Sequence, residues 1–376
     1  MDILSDDGAM ALEMAAAEAD PDSLGAAERL RRRFPSELAA AALTQVVLRR
    51  RARGKLPMAE RMFFTPDGLE QATRWVVARW RAALFVDAGV SEVWDLGCGI
   101  GVDAMALSEA GLGVHAVESD PVTAAFAQAN LALVGGGEVT VGRAEDVEVP
   151  SGAGIFLDPA RRTTRGRTWD VNQFTPPWSL VENHLRGDWR TAVKLGPGLP
   201  KELIPEHVAA AWVSVDGDVV EASLWNFLEA GPRAVVMRSG MVHTLRSGAD
   251  PLPVGSLGDW VHEPDNAVIR AGLVAEAAPD ARLLAPGVAY VTSDAPIASP
   301  FVTDFRVLEV LDYDLPILKR WVKTHRIGSL EIKRRAIDVD PAALRRQLKP
   351  RGDGSATLLL ARTVDGARAC VVERVG

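Results

Sequence analysis

The chain reads as an α/β protein whose central sheet is largely parallel and carries helices on both faces. Three observations predict this. From about residue 91, short apolar runs alternate with helix-like segments, the pattern of strand–helix–strand units. The stretch "VWDLGCGIGVDAMAL" (93–107) joins a strand, a glycine-rich turn and the opening of a helix. In "WVSVDGDVVEASLW", Asp216-Gly217 separates two strand-like runs and is a strong hairpin signal, so the sheet is expected to end in antiparallel strands.

Taken in order, residues 8–87 are rich in Ala, Leu and Arg and predict helices, with the first 15 or so residues expected to be disordered as chain termini often are. Ser36 as N-cap with Glu37 in the first turn opens one helix, and Arg53-Gly54 closes it. Thr65 as N-cap and Pro66 at the first helical position open the next, over "FFTPDGLEQATRWVVARWRAALF". Its apolar residues Leu69, Ala72, Val76, Val77, Trp80 and Leu84 recur at helical spacing. The strand-like runs follow: "EVWDL" (92–96), "GVHAV" (113–117), "EVTVG" (138–142), "GIFLD" (154–158), "AVKLG" (192–196) and "RAVVMR" (233–238). A Gly-, Pro- and Asp-rich stretch at 247–266 marks a boundary. Beyond it the pattern is mixed α/β and ends in a hairpin, "ATLLLARTVDGARACVVERV".

The length of 376 residues predicts two or three domains, and the net charge of −8 argues against a simple nucleic-acid binder. The total conceals asymmetry. Residues 1–28 hold eight acids and no Lys or Arg; residues 29–61 hold ten Lys/Arg against two acids, and residues 318–351 hold eleven against three. Local basic blocks of this kind matter more to a phosphate backbone than the sum does. Two cysteines, Cys98 and Cys370, are too few for a disulfide framework and lack metal-ligand spacing. The acidic N-terminus is not a signal peptide, and no apolar run approaches a bilayer span. A cytoplasmic protein without a metal or a membrane partner is the expectation.

The chemistry-bearing residues lie at the ends of the strand-like runs. Gly97, Gly99 and Gly101 allow tight turning and close backbone approach to a ligand. A dinucleotide site would place a third glycine at position 102, which is Val. Asp95 puts a carboxylate where a pyrophosphate would be repelled but a ligand's amino group would gain a charge-assisted hydrogen bond. Glu118 ends the second run and is suited to ribose hydroxyls; Ala144, Glu145 and Asp146 are suited to an adenine edge. The fourth run ends in Asp158-Pro159.

Asp95-Leu-Gly-Cys-Gly-Ile-Gly101, then Glu118, Glu145-Asp146 and Asp158-Pro159, resemble in order and spacing the class I S-adenosylmethionine-dependent methyltransferases, over roughly residues 90–240. The resemblance implies a seven-stranded Rossmann-like sheet with a reversed last hairpin. It also implies S-adenosyl-L-methionine as cofactor, contacted by Asp95, Gly97, Cys98, Gly99, Gly101, Glu118, Ser119, Ala144, Glu145 and Asp158. Enzymes that methylate base amines carry Asp/Asn/Ser-Pro-Pro-aromatic at this strand end. Here Ala160 and Arg161 stand in place of the second proline and the aromatic. On that resemblance Asp158, Pro159 and Arg161 are the candidate catalytic residues. RNA uracil-C5 methyltransferases need a downstream nucleophilic cysteine, and Cys370 lies outside the sheet. "FTPPW" (174–178) follows no strand-like run and reads as loop.

Two flanking regions lean toward RNA. "RMFFTPDGLEQAT" (61–73) looks like the Thr-Pro-Glu segment that closes over the cofactor in trimethylguanosine synthases, with Asp67 in place of the Glu. "RIGSLEIKRRAIDVDPAALRRQLKP" looks like the THUMP-like domain appended to a group of bacterial methyltransferases, a resemblance implying RNA binding by analogy. Phe64, Thr65, Arg162, Lys333, Arg334 and Arg335 are the corresponding substrate-binding candidates. The expected organisation is a helical region at 1–88, a methyltransferase domain at 89–248 and an α+β THUMP-like domain at 256–376. The expected reaction is methyl transfer to a nitrogen, a base amine, of RNA. A methyltransferase for protein or small molecules and an inactive RNA-binding protein with this fold stay open.

Overall fold

The computed structural model describes residues 3–161, 169 and 173–375. The chain forms two compact units. The first comprises Met1–Leu195, Leu199–Val208 and Leu224–Glu229; the second comprises Gly196–Gly198, Ala209–Ser223 and Ala230–Gly376.

The first unit opens with helices α1 (Asp6–Ala16), α2 (Leu24–Arg31) and α3 (Ser36–Ala52). The expected disorder of the first 15 or so residues does not hold. Ser5 caps α1 by accepting from the Gly8 N–H, and Ala11, Leu12 and Ala15 bury against Leu30, Leu38 and Ala42. Ser36 is the first helical residue and not the cap: Pro35 precedes it in extended backbone, without a side-chain cap bond. Much of the basic block is engaged locally. Arg29 forms a fork on Glu18, Arg50 donates to the Glu18 and Ala19 carbonyls, and Arg49 donates to the Met62 carbonyl.

The expected single helix over 65–87 is two, α4 (Pro66–Gln71) and α5 (Trp75–Asp87). The chain turns out of helix at Ala72 (ψ 136°), and the Thr73 hydroxyl donates to buried Asp103 at 2.6 Å. Strands β1 (Glu92–Leu96), β2 (Gly113–Glu118), β3 (Glu138–Val141) and β4 (Gly154–Leu157) alternate with α6 (Val102–Glu109) and α7 (Pro121–Leu131). Two-residue strands β5 (Ala160–Arg161) and β6 (Phe174–Thr175) pair antiparallel; α8 (Trp178–Arg186) and β7 (Arg190–Leu195) follow. β2, β1, β4 and β7 match the four apolar runs that predicted them. Their buried faces explain why those runs were nearly continuous rather than alternating.

The second unit contains β8 (Ala209–Val215), most of β9 (Asp218–Trp225), β10 (Gly231–Arg238) and β11 (Met241–Arg246). Asp216 and Gly217 join β8 to β9 with φ +51° and +90°, the double positive φ of a tight hairpin turn. Among the described residues the order within the first unit is β7-β4-β1-β2-β3, and within the second β11-β10-β8-β9. The strand count exceeds the seven expected: in the second unit β10 runs parallel to β8, and β11 returns antiparallel to β10.

The rest of that unit comprises β12 (Trp260–Pro264), α9 (Asn266–Ala271), α10 (Val274–Ala277), β13 (Arg282–Leu283), β14 (Val291–Ser293), β15 (Val302–Asp312), α11 (Leu315–Thr324), β16 (Ile327–Arg335), α12 (Pro341–Leu348), β17 (Gly354–Thr363) and β18 (Gly366–Val375). These strands form a second sheet in the order β13-β14-β12-β15-β18-β17-β16. β12 falls inside the stretch read as a boundary loop; it is short and ends at Pro264, which hid it. Leu318, Trp321 and Val322 of α11 and Leu344 and Leu348 of α12 pack on Leu358 and Leu360 of β17. Among the described residues no helix is long and apolar enough to cross a membrane, and no cluster of His, Cys, Asp and Glu is placed to hold a metal ion.

Candidate active site

A cavity of about 530 Å³ opens at the carboxyl ends of β1, β2 and β4, within the first unit. In an open parallel sheet this is where ligands bind. Its wall is the turn after β1. Gly97, Gly99 and Gly101 have φ of +95°, +54° and +82°, which side chains disfavour. A Cβ at Gly97 or Gly99 would stand in open space, so the backbone is bare toward the cavity. The Gly97 and Cys98 N–H groups both donate to the Val117 carbonyl, holding the turn against β2.

Glu118 ends β2 and accepts from the N–H groups of Gly99 (3.1 Å) and Asp120 (2.9 Å) and from the Ser119 hydroxyl (3.1 Å). A carboxylate offers about four lone-pair directions, so one remains for a ligand hydroxyl. Ala144 and Glu145 line the next segment of wall, where Arg143 pairs with Glu145 at 2.9 Å.

On the opposite side lies the α4 segment. Thr65 caps α4 by accepting from the Gly68 N–H (3.0 Å), and Thr65, Asp67 and Gly68 line the cavity. Gly68 fits because a Cβ there would come within 2.5 Å of the Ile100 side chain. Asn130 of α7 accepts from the Phe63 N–H and donates to the Phe63 and Ile100 carbonyls, so one buried amide ties the segment to the glycine turn.

The floor is Asp158, which lines the cavity with Lys194 from the end of β7. Lys194 Nζ donates to Asp158 Oδ2 at 2.5 Å and to the Gln71 carbonyl at 3.1 Å. Asp158 Oδ1 has no partner among the described residues. Lys55 donates to the Leu69 and Glu70 carbonyls, so two lysines hold the last carbonyls of α4. Burial pulls the Lys55 amine down to about 8, and the neighbouring Lys194 and Arg74 charges add to this.

Beneath the turn are buried acids. Asp103 accepts from Thr73 and pairs with Arg81 at 3.1 Å, and the Arg81 guanidinium sits 4.5 Å from the centre of the Phe156 ring. Asp95 is wholly buried and neither of its oxygens has a partner among the described residues. Burial, reinforced by Asp103 and Asp158, raises its carboxyl well above the ordinary range. Burial likewise raises the Cys98 thiol, with Asp95 and Glu118 adding to it.

The geometry thus brings together Thr65, Gly97, Cys98, Gly99, Glu118, Ser119, Ala144, Glu145 and Asp158. Gly101 stands behind the wall as the N-cap of α6, and Asp95 and Pro159 are buried. Phe64 does not belong with the substrate candidates: it is 1% exposed, and its N–H and carbonyl bond the buried Gln45 amide. The Arg161 backbone pairs with Phe174 in β5–β6, and Arg162 lies outside the described residues. In the second unit, Lys333 pairs with Glu263 at 2.6 Å, Arg334 donates to the Ile337 carbonyl and Arg335 lies over the Tyr290 ring.

Sequence reasoning missed Lys194, Gln71 and Thr73. It also read "FTPPW" as loop, whereas its first two residues form β6, and Thr175 and Pro176 line the cavity. Neither aromatic of that motif lines it; Phe174 and Trp178 are buried, with ring centres 5.7 Å apart.

The sequence matches the THUMP domain-like family over residues 302–374 and a domain of unknown function over residues 2–52. It is 34% identical over 347 residues to proteins of Mycobacterium tuberculosis strains CDC 1551 / Oshkosh and H37Rv, both named uncharacterized S-adenosylmethionine-dependent methyltransferases. The match covers 88% of this chain and 94% of each relative. The fold resembles the crystal structure of a methyltransferase candidate from Porphyromonas gingivalis W83, with a TM-score of 0.76 and 22% identity over 97% of this chain and 98% of that one.

Proposed function

This chain belongs to the S-adenosylmethionine-dependent methyltransferases with a C-terminal THUMP-like domain, and from that premise we propose that it methylates a nitrogen, an exocyclic base amine, in RNA. The observation that carries the proposal is the Asp158–Lys194 pair on the floor of the cavity, facing the bare glycine turn. One carboxylate oxygen is held by the lysine, and the other is left for an amine hydrogen. The Pro159 carbonyl, the next acceptor along the chain, is the second candidate partner for that amine.

The cofactor fits the residues present. Gly97 and Gly99 leave the room that a ligand's backbone-hugging end requires, and Glu118 keeps a lone-pair direction for a ribose hydroxyl. The unpartnered buried oxygens of Asp95 mark a place where a polar ligand group or a water it orders completes the site. S-adenosylmethionine supplies an electrophilic methyl group on a sulfonium. The protein's part is positioning, which can account for much of the barrier reduction. As the amine nitrogen forms its new bond it becomes cationic, and the Asp158 carboxylate accepting its hydrogen opposes that charge. The proton leaves after attack, so no strong base is needed.

The division into residues 1–88, 89–248 and 256–376 stands as part of the proposal, since β1 to β11 all fall between residues 92 and 246. Mass spectrometry of RNA nucleosides from cells with and without the gene tests the substrate. The expected result is one methylated nucleoside missing from the deletion strain. An unchanged profile, with methyl transfer retained on a protein or metabolite extract, would replace RNA as the substrate.

A further inference from the structure

Outside the active site, the feature that demands an explanation is a groove of about 600 Å³ in the second unit, where α11 and α12 end beside the start of β16. Five cations line it, Lys319, Lys323, Arg326, Lys349 and Arg351, and no carboxylate does. All five are exposed. Arg326 pairs with Asp353 at 3.1 Å across water-accessible surface. Lys319, Lys323, Lys349 and Arg351 have no acidic partner among the described residues.

Charge compensation of helix ends explains only part of this. A cation in the last turn of each helix offsets the negative end of its dipole, and Lys323 of α11 with Arg345 and Arg346 of α12 suffice for that. Backbone conformation speaks more strongly. Arg326 and Lys349 adopt φ of +53° and +50°, left-handed positions just past the ends of α11 and α12 where glycine is the default. A side chain there strains the backbone, and strained residues collect at functional sites. Both positions carry a cation facing the same groove. The two turns are also joined: the Arg351 and Gly352 N–H groups donate to the Ile327 carbonyl, and the Gly354 N–H donates to the Arg326 carbonyl. Backbone hydrogen bonds therefore hold the two turns together, and with them the points from which the exposed cations extend.

We propose that this groove binds the phosphodiester backbone of the RNA substrate, independently of its bases. This rests on RNA being the substrate. The test uses the full chain and a fluorescent single-stranded oligouridylate, which has no exocyclic amine and so reports backbone binding alone. If all five cations contact phosphates, log K falls against log salt with a slope of about −3.5, or about a hundredfold loss of affinity between 50 and 200 mM.

In the double variant R326G and K349G the slope shrinks by about 1.4 and affinity falls at least tenfold. Its melting temperature does not drop, because glycine suits both positions. The charge-keeping pair R326K and K349R retains the wild-type slope. K319Q with R351Q shrinks the slope by the same amount without touching either left-handed position. Glycine and glutamine variants that bind like wild type overturn the groove while leaving RNA as substrate. Wild-type protein that binds no oligonucleotide at low salt overturns the groove as well, and RNA as substrate then stands or falls by the nucleoside profile alone. A charge-keeping variant as weak as the glycine variant overturns the electrostatic basis of the proposal.

Discussion

Lys194→Met removes the charge that holds Asp158 while keeping most of the side chain's length. Among the described residues the lysine bonds Asp158 Oδ2 at 2.5 Å and the Gln71 carbonyl at 3.1 Å. Hydrogen bonds of charged groups contribute about 1.5–3 kcal/mol when well buried. Here the Asp158 side chain is 34% exposed, so water can replace the lost donor. The expected stability loss is therefore only about 1 kcal/mol, a shift in melting temperature of about 3 °C for a unit of this size. The catalytic effect is larger. An untethered carboxylate no longer presents a fixed oxygen, and a loss of about 1.4–2.7 kcal/mol of transition-state stabilisation lowers kcat by about 10- to 100-fold. The assay is transfer of labelled methyl groups to RNA from a strain lacking the gene, with cofactor affinity measured separately by calorimetry. Cofactor affinity should change by only a few-fold, through the Gln71 end of α4. The decisive comparison is a double-mutant cycle with Asp158→Asn. If Lys194 acts through Asp158, adding Lys194→Met to that variant lowers kcat no further. Additive losses, or a wild-type kcat in Lys194→Met, would refute the reasoning.

Three more perturbations address the site from different sides. Asp95→Asn removes a carboxyl whose folded pKa lies above its unfolded value, so stability is full at low pH and is lost as pH rises through the folded value. Wild type should therefore weaken relative to Asp95→Asn in urea titrations as pH rises from about 4, the ordinary aspartate value, and parallel curves would contradict the raised carboxyl. Gly97→Ala should destabilise by about 1–2 kcal/mol from its positive φ and, because its methyl enters the cavity, weaken cofactor binding at least tenfold by calorimetry. Arg81→Met leaves Asp103 charged, buried and unpaired, which costs about 3–5 kcal/mol in guanidinium melts; Asp103→Asn in the same chain should restore part of it.

What the sequence disclosed follows from where the physics is local. The glycines after β1, the Thr65 cap and the Asp216-Gly217 turn are each required by backbone conformation at their own positions, and each stands where the spacing put it. The strands of the first unit were legible because burial on both faces makes an apolar run. Other features depend on remote partners. Lys194 lies 36 residues from Asp158 and 123 from Gln71, and nothing in "AVKLG" distinguishes a lysine that leaves the sheet from one that returns to a carboxylate. The break between α4 and α5 was hidden in the same way, since Thr73 leaves helix to reach Asp103, 30 residues on. Phe64 was misplaced because its neighbour Thr65 is at the cavity, while extended backbone sends alternate side chains to opposite sides. The basic blocks misled by composition: much of the first is spent on Glu18 and helix-end carbonyls, and Lys333 of the second faces Glu263.

The charges around the cavity suggest why these particular contacts recur. Asp158 faces Lys194, Asp103 faces Arg81, Glu145 faces Arg143, and Glu118 faces backbone N–H groups. A site that must accept a sulfonium, an ammonium and a carboxylate in one ligand cannot carry a large net charge of either sign without repelling one of them. Pairing these four acids locally keeps the field short-ranged and lets individual oxygens be aimed; Asp67, also on the cavity wall, is outside this set. Asp95 departs from this scheme, because it is buried without a partner and burial favours its neutral form. A carboxyl raised in this way is ionised less readily, and a cationic ligand group nearby would favour its charged form. On that reasoning cofactor binding should lower the Asp95 pKa and release protons over the pH range in which the raised carboxyl titrates. Calorimetry in buffers of different ionisation enthalpy reads this release, and Asp95→Asn should abolish it. Equal proton release in the variant would mean that the balance is set elsewhere.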